Sequence, residues 1–260
     1  MTAEARVVGL ALTPVKGLRL VGRDEILLER DGVPENRRFH LIDAHDRMVN
    51  GKQLGGLCAV IADYDPASKR LALRFPDGTV ASDTVRYGPS IATRFFSRTR
   101  PARLVVGPWA QALSEHVGQP LRLVEAGDDG GAVDRGRAGA VSAISRASLD
   151  RLAREAGTPI DSRRFRMLIE LDGLDAHAED DWVGAAVRLG EATVRFHGHV
   201  GRCLVTSRDP EHGAVDLPTL DLLGAYRRSA DTTEPLALGI FGEVVAPGRV
   251  RVGDGVDVRP

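Results

Sequence analysis

The sequence predicts a mainly β fold of the α+β class: two β-barrel-like domains with a few peripheral helices. Three observations carry this. Short apolar runs of strand length recur through both halves, separated by Pro, Gly and Asp turn signals. Only three stretches, at 108–117, 146–156 and about 219–228, space their apolar residues as a helix does. A Gly-, Asp- and Arg-rich break at 126–140 divides the chain into 1–125 and 126–260.

Residues 7–12, VVGLAL, form the first strand, and the turn 13–17 follows, with Pro14 removing a ladder donor and Gly17 relaxing the backbone. Ile26–Leu28 is a second strand. Arg37–Asp43 is a third, with Arg37, Phe39 and Leu41 on one face and Arg38, His40 and Ile42 on the other. One of the two arginines could face a cavity; a solvated edge is expected for Arg37. Leu57–Tyr64 and Leu71–Phe75 suggest a hairpin about Asp65-Pro66. In the first helix Pro108 suits the first turn and Gly118 the end. Leu121–Val124 is a strand after it. In the second helix Ser145 is the N-cap and Gly157 the stop. Phe165–Leu171 is expected as a strand, Val187–Leu189 and Ala192–Phe196 flank the Gly190-Glu191 turn, and a strand pair surrounds 253–255.

Composition narrows the function classes. A 260-residue chain with 43% hydrophobic and 27% charged residues is ordinary globular material. A net charge of −1 gives no bulk attraction to nucleic acid or membrane. The N-terminus lacks the basic and long apolar regions of a signal peptide, and no run reaches membrane-spanning length. Cys58 and Cys203 do not make a disulfide framework, so a reducing, cytoplasmic setting is expected. Lysine occurs only at Lys16, Lys52 and Lys69, and the arginine excess suits planar anion clamping, although genome composition gives the same bias.

The chemistry concentrates in Phe196–Thr206, FHGHVGRCLVT. Arg202 precedes Cys203, and a guanidinium beside a thiol favours the thiolate. Leu204–Thr206 suggest the start of a buried strand. A lone cysteine is more often a small buried hydrophobe. Strand parity would put His197, His199 and Cys203 on one face, a set that suits zinc, but Gly198 and Gly201 interrupt the strand and no fourth ligand is apparent. Phosphate-loop, dinucleotide-binding, HExxH, GxSxG and CxxC motifs are absent.

An ordered set of stretches resembles a known family. These are TPVKG at 13–17, RRFHLID at 37–43, ISRASL at 144–149, RFRMLIELDG at 164–173, EDDWVG at 179–184, GRCLVTSRDPEHG at 201–213 and FGEVVAPGRVRVGDGVDV at 241–258. The C-terminal half resembles the MOSC domain. The N-terminal half resembles the β-barrel domain that precedes it in the amidoxime-reducing proteins. The resemblance implies a molybdenum cofactor, with Cys203 as the soft thiolate ligand to the metal and the catalytic residue. It implies that Lys16, Arg38 and Arg166 hold the pterin and its phosphate, with Ser145, Ser148 and Arg202 as neighbouring contacts.

The implied activity is reduction of N-hydroxylated small molecules, amidoximes and hydroxylamines. Electrons would come from a separate donor protein, because no flavin, haem or iron–sulfur motif is present. The alternatives are a sulfur or cofactor carrier that uses a persulfide on Cys203, and a module that has lost the cofactor. Three departures stand out: Gly17 and Gly201 lie where the family usually has serine or another polar residue, and Met167-Leu168 where it usually has Pro-Asn; those at Gly17, Met167 and Leu168 motivate the last alternative. Cys58, in an apolar run, is expected to be an inert core thiol.

Overall fold

A computed structural model describes residues 4–95, 98–127 and 136–259. Strands β1 (Arg6–Leu12), β2 (Val21–Arg23), β3 (Glu25–Leu28), β4 (Phe39–Ile42), β5 (Met48–Val49), β6 (Ile61–Asp65), β7 (Arg70–Arg74), β8 (Val80–Thr84), β9 (Arg86–Phe95) and β10 (Arg98–Val106) precede helix α1 (Trp109–Val117). β11 (Arg122–Ala126) and β12 (Val141–Ser145) lead into α2 (Arg146–Ala156). β13 (Ile169–Asp172), β14 (Ala186–Leu189) and β15 (Ala192–Gly201) come before α3 (Thr219–Tyr226), and β16 (Ala237–Ala246), β17 (Gly248–Arg251) and β18 (Val256–Arg259) follow it.

The chain is mainly β, of the α+β class. The largest sheet has eight strands in the order β18-β14-β15-β16-β12-β13-β1-β2. Only β12 and β13 run parallel; the other neighbours are antiparallel. The ladder stays open, but its ends curl together: Val7 N donates to Asp254 O at 2.9 Å, and Val256 N donates to Ala5 O at 2.9 Å. A second sheet runs β5-β4-β11-β10-β9, beside a β6-β7-β8 meander and the β3–β17 pair.

Two apolar cores result. In one, Val7, Leu10, Leu12, Ile26 and Leu28 pack with Val141, Leu171, Val194, Phe196 and Val250. In the other, Val15, Leu18, Phe39, Leu71, Trp109, Leu113 and Leu123 pack together. The chain passes from the first core to the second within residues 12–15, so the turn at 13–17 joins the two. Strands β1 and β2 belong to the large sheet, and β3 packs on its core; all three cross the sequence division at 125. Residues 128–135, most of the break, lie outside the described residues. Among the described residues no helix is long and apolar enough to cross a membrane.

The helices start and stop as their end residues dictate. Ser145 Oγ accepts from Ser148 N at 3.1 Å, and Gly118 and Gly157 close α1 and α2 at φ 71° and 66°. Trp109 Nε1 donates to Leu71 O at 3.0 Å, which satisfies the indole while its ring fills the second core.

Four expectations are corrected. The third strand begins at Phe39, because Arg37 sits at φ 51° and breaks the extended run. Residues 162–165 form a 3-10 turn and Arg166 is left-handed, so the following strand covers only Ile169–Asp172. Leu204–Ser207 is a 3-10 turn, as is Gly55–Ala59 around Cys58. The last two strands pair elsewhere: β17 with β3, and β18 with β14.

Candidate functional site

A cavity of about 670 Å³ opens between the two cores. One wall comes from Lys16, Gly17, Arg37, Asn50, Cys58, Phe95, Arg98 and Arg100, the other from 163–167, 200–203, 205–206, 208–210 and Phe241. Among the described residues Lys16 and eight arginines line it, against the single carboxylate of Asp209. In a chain of net charge −1 this is a strong local excess of positive charge. Guanidinium and ammonium groups around a cleft with low-dielectric walls focus field on an anion.

Cys203 lies on this wall with its side chain exposed. β15 ends at Gly201, and Cys203 is the extended residue before the 3-10 turn 204–207; Thr206 N donates back to Cys203 O at 3.0 Å. Three register shifts along the β15–β16 ladder break the strand's alternation. His197 therefore pairs outward with Glu243 at 3.2 Å, while His199 is buried, its Nδ1 accepting from Thr233 N at 3.1 Å. The two histidines and Cys203 do not converge, and among the described residues no three His, Cys, Asp or Glu side chains are grouped to hold a metal.

Arg202 is the support beside the thiol. Its Nε donates to Leu238 O at 2.8 Å, its Nη1 to Phe165 O at 2.8 Å and its Nη2 to Met167 Sδ at 3.1 Å. The guanidinium also lies over the Phe165 ring, 5.2 Å from its centroid. Arg202 thus ties β16, the 162–167 turn and the Cys203 segment into one unit.

Arg166 and Arg37 form a reciprocal clasp between the walls. Arg37 Nη2 donates to Arg166 O at 2.6 Å, and Arg166 Nη2 donates to Leu18 O at 2.7 Å. Both residues have positive φ, 51° and 56°, which swings their side chains into the cavity. Arg37 was expected at a solvated edge; the strand parity behind that expectation does not extend to a left-handed residue. Arg38, the expected cofactor contact, is not on the cavity. It pairs with the buried Glu125 at 2.5 Å and stacks over Tyr64. Burial works against its charge, but Glu125 together with Tyr64 and Tyr87 outweighs it and raises its pKa.

Lys16 lines the cavity with its ammonium 5.7 Å from the Phe95 centroid. Gly17 has φ 98°, and a Cβ there would sit 3.4 Å from Asn50 Cα and Gly51 N, so a serine would be strained. A Cβ at Gly201 would meet Glu234 Oε2 at 2.5 Å. Of the other departures, Met167 joins the cavity wall and Leu168 fills the first core.

Ser145 and Ser148 are fully buried and away from the cavity. Their hydroxyls lie 2.8 Å apart, and Ser148 Oγ donates to Glu179 Oε1 at 2.8 Å while accepting from His177 N. They fasten α2 to the 178–182 turn. The His177 ring beside them is held neutral: burial, and then Arg227, lower its pKa from 6.5 to about 4. The unfolded chain takes up that proton first, so this contribution to stability is present above pH 6.5 and lost between 6.5 and 4. With solvent screening of the half-buried ring the loss is ~1–2 kcal/mol. The urea midpoint should fall between pH 7 and 5, and His177→Asn, which tolerates the φ of 68°, should flatten that fall. An equally steep fall in the variant would contradict the assignment.

Cys58, expected in a core strand, lines the same cavity at half burial. Its Sγ–H donates to Asp209 O at 3.5 Å. Burial pushes the thiol pKa up, against Arg166 and Arg19 which pull it down. Cys203 is the more exposed of the two thiols. We expect Cys203 to be alkylated ~10-fold faster at neutral pH, read site by site by mass spectrometry. Equal rates would count against Cys203 as the accessible thiol.

Residues 130–257 match the family model of the MOSC domain. Mitochondrial amidoxime-reducing component 1 of Xenopus laevis is 24% identical over 285 residues, covering 95% of this chain and 80% of the relative. The YUAD protein of Bacillus subtilis has a TM-score of 0.47 at 12% identity, over 98% of this chain and 94% of that one. YiiM from Geobacillus stearothermophilus has a TM-score of 0.37 at 19% identity, over 53% and 67%.

Proposed function

We propose, from the premise that this chain is a MOSC-domain protein, that it is a molybdenum-cofactor-binding oxidoreductase that reduces N-hydroxylated small molecules. The observation that carries this is one exposed thiol in a cavity that, among the described residues, holds nine cations and a single carboxylate. That donor set fits the group. A pterin phosphate calls for guanidinium and ammonium donors, and molybdenum for a soft thiolate. Cys203 would ligate the metal. Lys16 and Arg166 would hold the pterin and its phosphate, with Arg37 completing the cationic wall and Arg202 keeping Cys203 in place. Arg38 would act through Glu125, outside direct contact, and Ser145 and Ser148 through the packing of α2.

When bound, the cofactor would supply the two-electron redox chemistry that cleaves an N–O bond. The overall change is N–OH plus two electrons and two protons to N–H plus water. The chain's own part is to bind and orient: the cations fix the phosphate, and the apolar wall of Phe95, Phe165 and Phe241 excludes water from the reacting group. A separate donor protein would deliver the electrons, and the expected setting is cytoplasmic.

The test is to purify the full chain from a host that makes the cofactor and assay benzamidoxime reduction with an artificial electron donor. Turnover with bound molybdenum supports the reading. Bound pterin or a labile sulfur on Cys203, with no turnover, would instead favour the carrier. Folded protein without metal or pterin would favour a module that has lost the cofactor.

A further inference from the structure

The hairpin of β9 and β10 brings one more group of side chains to the cavity. In its register Arg98 lies directly across from Phe95, and Arg100 lies two residues further along the same face. All three line the cavity. Arg100 sits over the Phe95 ring at 5.8 Å from its centroid, on the ring that also carries Lys16 at 5.7 Å. Phe95 itself is only 3% exposed, which fixes the ring as a platform.

The two arginines differ from most of the other cations. Arg163 is paired with Asp161 and Glu211, and Arg164 holds Asp216 through two 2.7 Å contacts. Arg202, Arg166 and Arg208 donate to backbone carbonyls. Among the described residues neither guanidinium, of Arg98 or of Arg100, has a carboxylate or carbonyl partner. Two adjacent guanidinium groups repel each other, and holding them side by side at a cavity costs stability that a bound anion would recover. One phosphate has charge for the Lys16–Arg166 group, and the hairpin pair is surplus to it.

We propose that Arg98 and Arg100 form a second anion subsite, which selects substrates carrying a carboxylate or phosphate beside the N-hydroxylated group. The inference rests on the reductase reading given above and narrows its substrate class. Phe95 would serve as the rigid backing that holds Arg100 and Lys16 in place while the two guanidinium groups take the acid.

The probes are benzamidoxime and 4-carboxybenzamidoxime, which differ only in the acid. Both are titrated calorimetrically into the full chain purified from a cofactor-producing host, and both are assayed for turnover. The wild type should bind the carboxylated probe about tenfold more tightly and show the same preference in KM. The preference should shrink toward parity in Arg98→Gln/Arg100→Gln and weaken in high salt. Equal binding of the two probes by the wild type would overturn the proposal, as would an undiminished preference in the double variant. A nucleotide extension on the cofactor would use the same cations; nucleotide retained by the wild type and lost by the variant, with no carboxylate preference, would also overturn it. Preferential binding without turnover of either probe would leave the subsite standing and count against the reductase reading.

Discussion

Cys203→Ser is expected to abolish molybdenum-dependent turnover while leaving the fold intact. The thiol is exposed at the cavity, so a hydroxyl there meets no packing conflict, and stability should move by less than about 0.5 kcal/mol. A hydroxyl is a hard, weakly acidic donor and a poor ligand for molybdenum. Changing an outer-shell partner commonly costs a metal site about 10–100-fold. Loss of a direct ligand should exceed that, which corresponds to more than ~3 kcal/mol at the transition state. Steady-state reduction of benzamidoxime, set beside thermal unfolding of the same preparation, checks both halves. Retained activity would remove Cys203 from the metal.

Arg202→Met should give the largest loss of stability among the cavity residues. Its guanidinium donates to the carbonyls of Leu238 and Phe165 and lies over the Phe165 ring. Methionine fills part of the volume but donates nothing, so both carbonyls lose their charged donor. At ~1–3 kcal/mol for each unsatisfied group, a total near ~3 kcal/mol is expected. For a chain of this size that lowers the melting temperature by about 6–12 °C. Because Cys203 follows Arg202 directly, the thiol should also become mobile, and its alkylation rate should change with the melting temperature. Arg202→Lys restores one donor at most, so it should rescue only part of either effect. A melting temperature unchanged by the Met variant would mean that Arg202 does not fasten this region.

Much of the architecture was legible because its signals are local. Ser145 and Gly157 bound α2 as capping chemistry requires, and the Gly190-Glu191 turn joins β14 to β15. The pairing of β17 with β3 was not, because it depends on contacts between residues more than two hundred positions apart. The sequence reading singled out Cys203, Lys16, Arg166 and Arg202, and all four line one cavity. It failed at Arg37 and Arg38. Alternation along a strand cannot reveal that the first of two arginines is left-handed, and that single dihedral decides which one faces the cavity. It failed also at Ser145 and Ser148. The resemblance implies that they touch the cofactor, but Ser148 Oγ and Ser145 N both donate to the buried Glu179, and the two hydroxyls face each other. Phe95, Arg98 and Arg100 carried no motif, because a hairpin places them at the cavity through register alone.

The account turns on whether the cationic cavity holds a molybdenum cofactor at Cys203. The most direct measurement is metal and pterin content of the folded full chain, purified from a cofactor-producing host, with Cys203→Ser beside it. Stoichiometric molybdenum and pterin in the wild type, with the metal lost or sharply reduced in the variant, is the predicted result. Well-folded wild-type protein that retains neither molybdenum nor pterin would contradict it.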